Sequence, residues 1–310
     1  MKLLRYIFPA TLSLLIATNV GSQDLKKKAT DKIEGKITQI SNQISESISS
    51  FAQENFDSMK YLDFSIEAQE YLKPTFSIMS VNEIMKIDSG TIFNQTSINT
   101  HDGDETINIG FGTRKLLNNN TLMLGANTFY DHQLTESHER FGVGAEAISS
   151  IFDVRGNYYD AISGRRTNSE SVIERAMDGW DLRGDYHLPI EPEVNLFISA
   201  FEFENPEADS TFKEKGNKFG LDAKVGNFSI EGGYMNDNQD KDAYFGSIKY
   251  VVKFGSNKHE KLCAGQLIKD CISDKKTLKD VSDKLYQPVK RENKIRVVKI
   301  DASGVVVGGF

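Results

Sequence analysis

From residue 61 onward, apolar side chains recur at every second position and keep that period for almost 200 residues. The clearest runs are Leu62/Phe64/Ile66, Ile107/Ile109/Phe111, Leu122/Leu124/Ala126/Thr128/Tyr130 and Phe141/Val143/Ala145/Ala147. They continue with Trp180/Leu182/Gly184/Tyr186/Leu188, Phe219/Leu221/Ala223/Val225, Phe228/Ile230/Gly232/Tyr234 and Tyr244/Gly246/Ile248/Tyr250/Val252/Phe254. Weaker runs cover about 74–81, 91–99, 153–160 and 194–204. A period of two marks a strand with two unlike faces, so the pattern predicts about twelve strands. The residues in between are strongly polar: Asp181, Arg183, Asp185 and His187 in one run, Ser247, Lys249 and Lys253 in another, Glu146, Arg155 and Asn157 elsewhere.

Such alternation fits a two-sheet sandwich as well as a transmembrane barrel. Two features favour the barrel. Aromatic residues gather near strand ends (Tyr130, Tyr158, Tyr159, Trp180, Tyr186, Tyr234, Tyr244, Phe254), as interfacial girdles require. Connections near 69–73, 100–105, 131–140, 160–178, 205–216 and 235–243 alternate with others near 82–90, 113–120, 149–152, 189–193 and 226–227. Apart from the first outer loop and two inner turns of middling length, the first set is long and the second short, the asymmetry of outer-membrane barrels. The last strand sets Tyr244, Gly246, Ile248, Tyr250, Val252 and Phe254 on one face and ends on an aromatic, which resembles the closing-strand signal read by barrel-assembly machinery. The expected fold is all-β, a transmembrane antiparallel β-barrel of about twelve strands over residues 61–255, with its outer face on outer-membrane lipid.

The flanks add a route of export. In MKLLRYIFPATLSLLIATNVGSQ, Lys2 and Arg5 precede an apolar run to about Val20, with the small residues Val20 and Ser22 before Gln23. This is a secretory signal pattern over 1–22, its apolar run shorter than the roughly 20 residues of a spanning helix. Residues 23–60 are expected to form a periplasmic amphipathic helix, with Ile33, Ile37, Ile40, Ile44, Ile48 and Phe51 on one stripe; packing and self-association as a homodimer are both open to it. Export to a Gram-negative outer membrane after Sec-type passage implies periplasmic chaperones and barrel-assembly machinery as partners. A net charge of -7 and no basic stripe argue against a nucleic-acid partner. The two cysteines, Cys263 and Cys271, could pair in an oxidising periplasm or remain free thiols; with only His259 nearby they do not complete a tetrahedral metal set.

The stretch LGANTFYDHQLTESHERFGVGAEA, Leu124 to Ala147, resembles the most distinctive segment of the intimin/invasin family, the inverse autotransporters. Further resemblances follow in family order: Phe93 to Ile98, Thr106 to Gly112, Glu174 to Arg183 with Tyr186-His187-Leu188-Pro189, and Leu285 to Ile295. The resemblance implies a twelve-stranded barrel whose C-terminal linker passes back through the pore and carries extracellular adhesive domains. Residues 256–310 correspond to that linker and a short tail. They leave no room for an immunoglobulin-like domain of about 100 residues, so an adhesin passenger is expected to be absent.

No catalytic chemistry emerges: there is no G-x-S-x-G, H-E-x-x-H or P-loop, and no cofactor or metal is expected. Gly142-Val143-Gly144-Ala145-Glu146-Ala147 approaches a dinucleotide fingerprint, but it lies inside an alternating strand with no helix opening at the phosphate position. His132 and His138 fall in an expected outer loop. The acidic stretches His101 to Glu105 and Asp237 to Asp242 lack calcium-loop spacing and read as turns. The inward charges fit a structural network of the lumen better than a lining that holds a linker; the residues most suited to contact a linker there are nonetheless Gly142, Gly144, Glu146, Arg155, Asp181, Arg183, Asp185 and Lys249, the glycines because they leave space. Two functions are in contention: a translocator and anchor that threads its own C-terminal segment to the cell surface, and a small porin-like channel.

Overall fold

The computed structural model describes residues 58–101, 104–168, 171–190, 193–207, 212–239, 242–254 and 278–300, and the backbone of 306–309. The expected signal peptide, the expected helix up to residue 57, and Cys263 and Cys271 lie outside the described residues. Twelve antiparallel strands close into one barrel: β1 (Met59–Gln69), β2 (Thr75–Ile87), β3 (Gly90–His101), β4 (Asp104–Leu117), β5 (Leu122–Gln133), β6 (Glu139–Ser149), β7 (Phe152–Ala161), β10 (Asp178–His187), β11 (Val194–Glu204), β12 (Lys213–Val225), β13 (Phe228–Asp237) and β14 (Ala243–Lys253). Between β7 and β10 lie the short strands β8 (Arg166–Thr167) and β9 (Ile173–Ala176). Each barrel strand pairs with its neighbour in sequence, β7 with β10 across that insertion. The last strand meets the first, Tyr61 opposite Lys253 through Gln69 opposite Phe245, so no backbone edge is left unpaired, the condition for crossing lipid with strands.

The two faces are as the alternation requires. Phe111, Leu182, Ile198, Phe219 and Leu221 point outward and are about half exposed or more, a belt that water would penalise and lipid accepts. Outward aromatics ring the long-loop end (Tyr130, Phe141, Tyr158, Trp180, Tyr244) and the short-turn end (Phe152, Tyr186). Tyr159, expected in the girdle, is instead fully buried in the lumen, one residue out of phase with Tyr158.

Several connections are shorter than expected. The turn expected over 82–90 is only Asp88–Ser89, because β2 runs on through a register shift between Glu83 and Met85. A bulge of this kind reverses the inside-outside phase and so hides the strand from a period-two reading. β4 continues to Leu117 and ends in Asn118, Asn119 and Asn120, all at positive φ, a region that asparagine tolerates better than most residues. The tip expected over 131–140 shrinks to residues 134–138; Asp131 and Arg140 lie inside β5 and β6 with no exposed surface. At the ends, Met59 and Lys60 belong to β1, not to the segment before it, and Phe254 lies just beyond β14. Val252 stands opposite Leu62 on the outer face of the closing pair, although it is 2% exposed.

Aromatic rings lie flat on the inner wall over glycines of the neighbouring strand. A Cβ on Gly112 would stand 2.4 Å from the Phe93 ring, and one on Gly220 2.9 Å from Phe197. Ring over glycine keeps the wall packed while saving lumen volume.

Candidate functional site

Residues 278–300 run inside the barrel from the short-turn end to the long-loop end, in contact with the wall throughout. At the short turns the Val281 N–H donates to the Asn120 carbonyl (2.8 Å), the Lys279 N–H to the Ser150 hydroxyl (2.9 Å) and Lys284 Nζ to the Ser149 carbonyl (2.9 Å). A 3-10 turn at Ser282–Lys284 follows, after which the segment is irregular and cannot satisfy its own backbone. The wall does so instead. Arg114 donates to the carbonyls of Leu285 and Gln287, Asn157 to that of Lys290, Arg140 to that of Glu292 and Asn108 to that of Asn293. Gln95 accepts from the Val289 N–H at 2.8 Å, and the Tyr159 hydroxyl accepts from the Glu292 N–H at 2.8 Å. Buried polar groups without partners are costly, so these donors and acceptors fix the path.

Apolar residues of the segment seat in four places. Val281 packs on Leu116, Met123 and Ile148; Val289 on Tyr61, Val81, Phe93 and Phe129; Ile295 on Ala161 and Ala176; Val298 in the cluster of Tyr159, Met177, Phe201 and Phe203.

Ion pairs fix the register of the segment further. Asp131 receives both terminal nitrogens of Arg291 (2.8 and 2.6 Å), Nε of Arg140 (2.9 Å) and Nδ2 of Asn108 (2.7 Å), with both arginines and the carboxylate essentially inaccessible to solvent. Each guanidinium also lies over a ring, Arg291 4.2 Å from the Phe129 centroid and Arg140 4.3 Å from that of Tyr159. Lys290 reaches Asp185 (3.1 Å) and Asp222 (2.9 Å), and Arg296 pairs with Glu214 and Glu292.

Of the residues singled out in the sequence, Gly142 and Asp185 touch the segment: a Cβ on Gly142 would stand 3.2 Å from Arg291 Nη2. Others belong to the wall's own network, with Glu146 pairing with Arg114 (2.5 Å), Arg155 with Asp185 and Asp153, and Arg183 with Asp185 and Glu231. Asp181 accepts from Asn157, Gly144 lies against the Asn127 and Asn157 amides, and Lys249 stands opposite Ser65 on the inner face of β14. Arg114, Asp131, Arg140, Gln95 and Asn108 were not foreseen. The signal that would find three of them is two-residue spacing from an inward glycine: Arg114 from Gly112, Asn108 from Gly110, Arg140 from Gly142. Among the described residues no group of three His, Cys, Asp or Glu side chains could hold a metal ion. Of the two histidines expected in a loop, His132 lies on the outer face of β5 and His138 is buried beside Glu174.

At the long-loop end the segment becomes β15 (Val297–Ile300), and β15 joins β8, β9 and β16 (Val306–Gly309) in a second, four-stranded sheet ordered β16-β15-β9-β8. Nothing in the residues 160–178 had suggested it, for strands of two and four residues are too short to show a period. Glu174 of β9 accepts from Asn168 (2.7 Å) and stands 3.6 Å from His138 and 3.9 Å from Lys299. Burial pushes its carboxyl upward, but the Asn168 hydrogen bond, the imidazole of His138 close by and the Lys299 charge outweigh that and hold it below the ordinary range.

Comparison with known proteins gives a consistent result. The profile of the family described as "Inverse autotransporter, beta-domain" matches residues 15–293. An attaching and effacing protein homolog of Escherichia coli (strain K12) is 35% identical over 129 residues, 41% of this chain and 43% of that protein. The invasin of Yersinia enterocolitica is 32% identical over 34% of this chain and 13% of its own length; the intimin of Citrobacter freundii is 33% identical over 33% and 11%. The chain thus spans less than half the length of these relatives. A solved structure recorded as "Unveiling the Mechanism Behind the in-meso Crystallization of Membrane Proteins" superposes with a TM-score of 0.62 at 20% identity, covering 76% of this chain and 98% of that one, and shows the same fold.

Proposed function

The chain belongs to the inverse autotransporter β-domain family, and from that premise we propose that this outer-membrane barrel threads its own C-terminal segment from the periplasm to the cell surface and anchors it there. The short turns then face the periplasm and the long loops the outside. The observation that carries the reading is the unbroken series of wall contacts along residues 279–300, from the Ser150 hydroxyl to the β9 backbone. Threading needs an inner wall that offers donors to any backbone, and Arg114, Arg140, Asn108 and Asn157 do so, each bonding a carbonyl rather than a particular side chain. Barrel-assembly machinery and periplasmic chaperones belong to the same reading, since a barrel of this kind reaches the membrane unfolded. Proteolysis of intact cells tests it: a tag placed after Phe310 is cut from outside, and a tag never reachable there refutes threading.

A channel is the second reading. It rests on the wall of β12, β13 and β14, where the polar inward residues Lys218, Glu231, Ser247 and Lys249 are only half buried. Planar-bilayer recording separates the two. Threading predicts a full-length protein that is closed at rest and opens when residues 262–310 are removed; steady conductance of the full-length protein favours the channel. The homodimer expected through residues 24–60 is tested by the mass of the purified protein in detergent.

A further inference from the structure

Adjacent antiparallel strands need only two to five residues to connect them, yet residues 162–177 stand between β7 and β10. This long connection builds a strand edge at the barrel's outer mouth. β9 pairs on one side with β8, and on the other with β15: Val297 opposite Ala176, Val298 opposite Arg175, Lys299 opposite Glu174, Ile300 opposite Ile173. The Met177 N–H donates to the Arg296 carbonyl at 2.9 Å and carries the ladder into the lumen. Within the lumen the segment's described backbone bonds go to side chains and turn carbonyls; at β9 it meets its first ladder. There Val298 and Ile300 are buried, and beyond them the backbone folds back as β16 along β15.

We propose that the β8–β9 hairpin is a strand-acceptor site that captures residues 297–300 as they leave the pore, prevents their return and gives the chain that follows a β-strand on which to fold. This rests on the threading reading. Strand addition takes its affinity from main-chain hydrogen bonds and its selectivity from alternate side chains. The acceptor therefore suits an extended segment with two aliphatic residues flanking a cation, the pattern of Val298-Lys299-Ile300, with Glu174 opposite the cation and the Tyr159, Met177 and Phe203 cluster beneath the first aliphatic.

A charge exchange across the pair tests it in the full-length protein carrying a tag after Phe310. Four forms are compared: wild type, Glu174→Lys, Lys299→Glu and the double exchange. Two quantities are measured, namely amide exchange at 297–300 in the purified protein and the rate at which the tag becomes protease-accessible on cells after a labelling pulse. Like charges set opposite each other on paired strands oppose pairing, so each single exchange is expected to lower protection at 297–300 by about tenfold and to slow exposure of the tag, and the double exchange to restore most of both. Amides of β5 remain protected in all four, which separates loss of pairing from loss of the barrel. Equal exposure rates in the four forms overturn capture, as does protection at 297–300 that ignores the exchanges. A tag never exposed even in the wild type instead refutes threading itself.

Discussion

Asp131→Asn removes one negative charge and almost no volume from the lumen near the long-loop end. In the native protein that carboxylate takes four hydrogen bonds, two from Arg291, one from Arg140 and one from Asn108. An amide can accept through one oxygen only, and its NH2 would face the guanidinium groups. Two arginines with 0% and 1% side-chain exposure would be left without their shared counter-charge. Breaking a buried pair by removing one partner costs about 3–5 kcal/mol, because the other charge stays desolvated. At 1.4 kcal/mol per factor of ten, the ratio of docked to undocked segment falls by about two to three and a half orders of magnitude. The loss should fall unevenly on the two sides. Arg291→Met leaves Asp131 still paired with Arg140 and should cost less than Asp131→Asn. Combined with Arg291→Met, Asp131→Asn should cost at least about 1.5 kcal/mol less than it does alone, a coupling in the range found for contacting residues. Open probability in planar bilayers and reversible urea unfolding in lipid vesicles both read these quantities. The reasoning is refuted if the two costs add to within about 0.5 kcal/mol, or if losing Arg291 proves the more damaging.

Leu182→Arg puts a charge on the lipid face at the middle of β10, where the leucine is 50% exposed, and should cost about 2–4 kcal/mol of barrel stability; unchanged heat-modifiable migration would show that this face does not meet lipid. Gly112→Ala drives a Cβ to 2.4 Å from the Phe93 ring and 3.1 Å from the Ala126 carbonyl oxygen, whereas a Cβ on Gly142 meets nothing closer than Arg291 Nη2 at 3.2 Å. The first should destabilise by about 1–3 kcal/mol and the second by clearly less, as compared by urea midpoints. Glu174 is held below its ordinary value of 4.5, so its contribution to the outer sheet is fully present above that pH and is lost as pH falls through the lower folded value. Exchange protection factors at 297–300 should accordingly stay level from neutral pH to about pH 5 and fall below it, and Glu174→Gln should abolish the step.

The barrel was legible in the sequence because lipid and lumen impose opposite demands on successive residues, and eight runs obey them without interruption. Legibility failed where the phase breaks or the run is too short. The shift at Glu83/Met85 reverses the faces of β2, and the polar Asp131-to-Arg140 stretch hides strand ends whose outward residues, His132 and Glu139, are themselves polar. The lumen site was only partly legible for a related reason. An inward charge pairs with the wall or with the segment according to cross-strand register, and register is not written in one strand. Asp181 and Asp185 look alike in sequence, yet Asp185 faces Lys290 while Asp181 is taken by Tyr159 and Asn157.

On the threading reading the wall has to hold one segment and let others pass. Its charges are largely paired among themselves: Arg114 with Glu146, Arg155 with Asp153 and Asp185, Arg183 with Glu231, Arg140 with Asp131. A chain entering the lumen therefore meets few bare ions, and the donors aimed at it bind carbonyls, which every sequence carries. Ion pairs made on docking return little net energy, since desolvation offsets most of their attraction, but a segment out of register forfeits them while still burying the groups. The resting register is thus selected by a small set of side chains: Lys290 between Asp185 and Asp222, Arg291 on Asp131, and Val281, Val289, Ile295 and Val298 in their seats. A segment with the same backbone but without these side chains would find the same path and no place to stop.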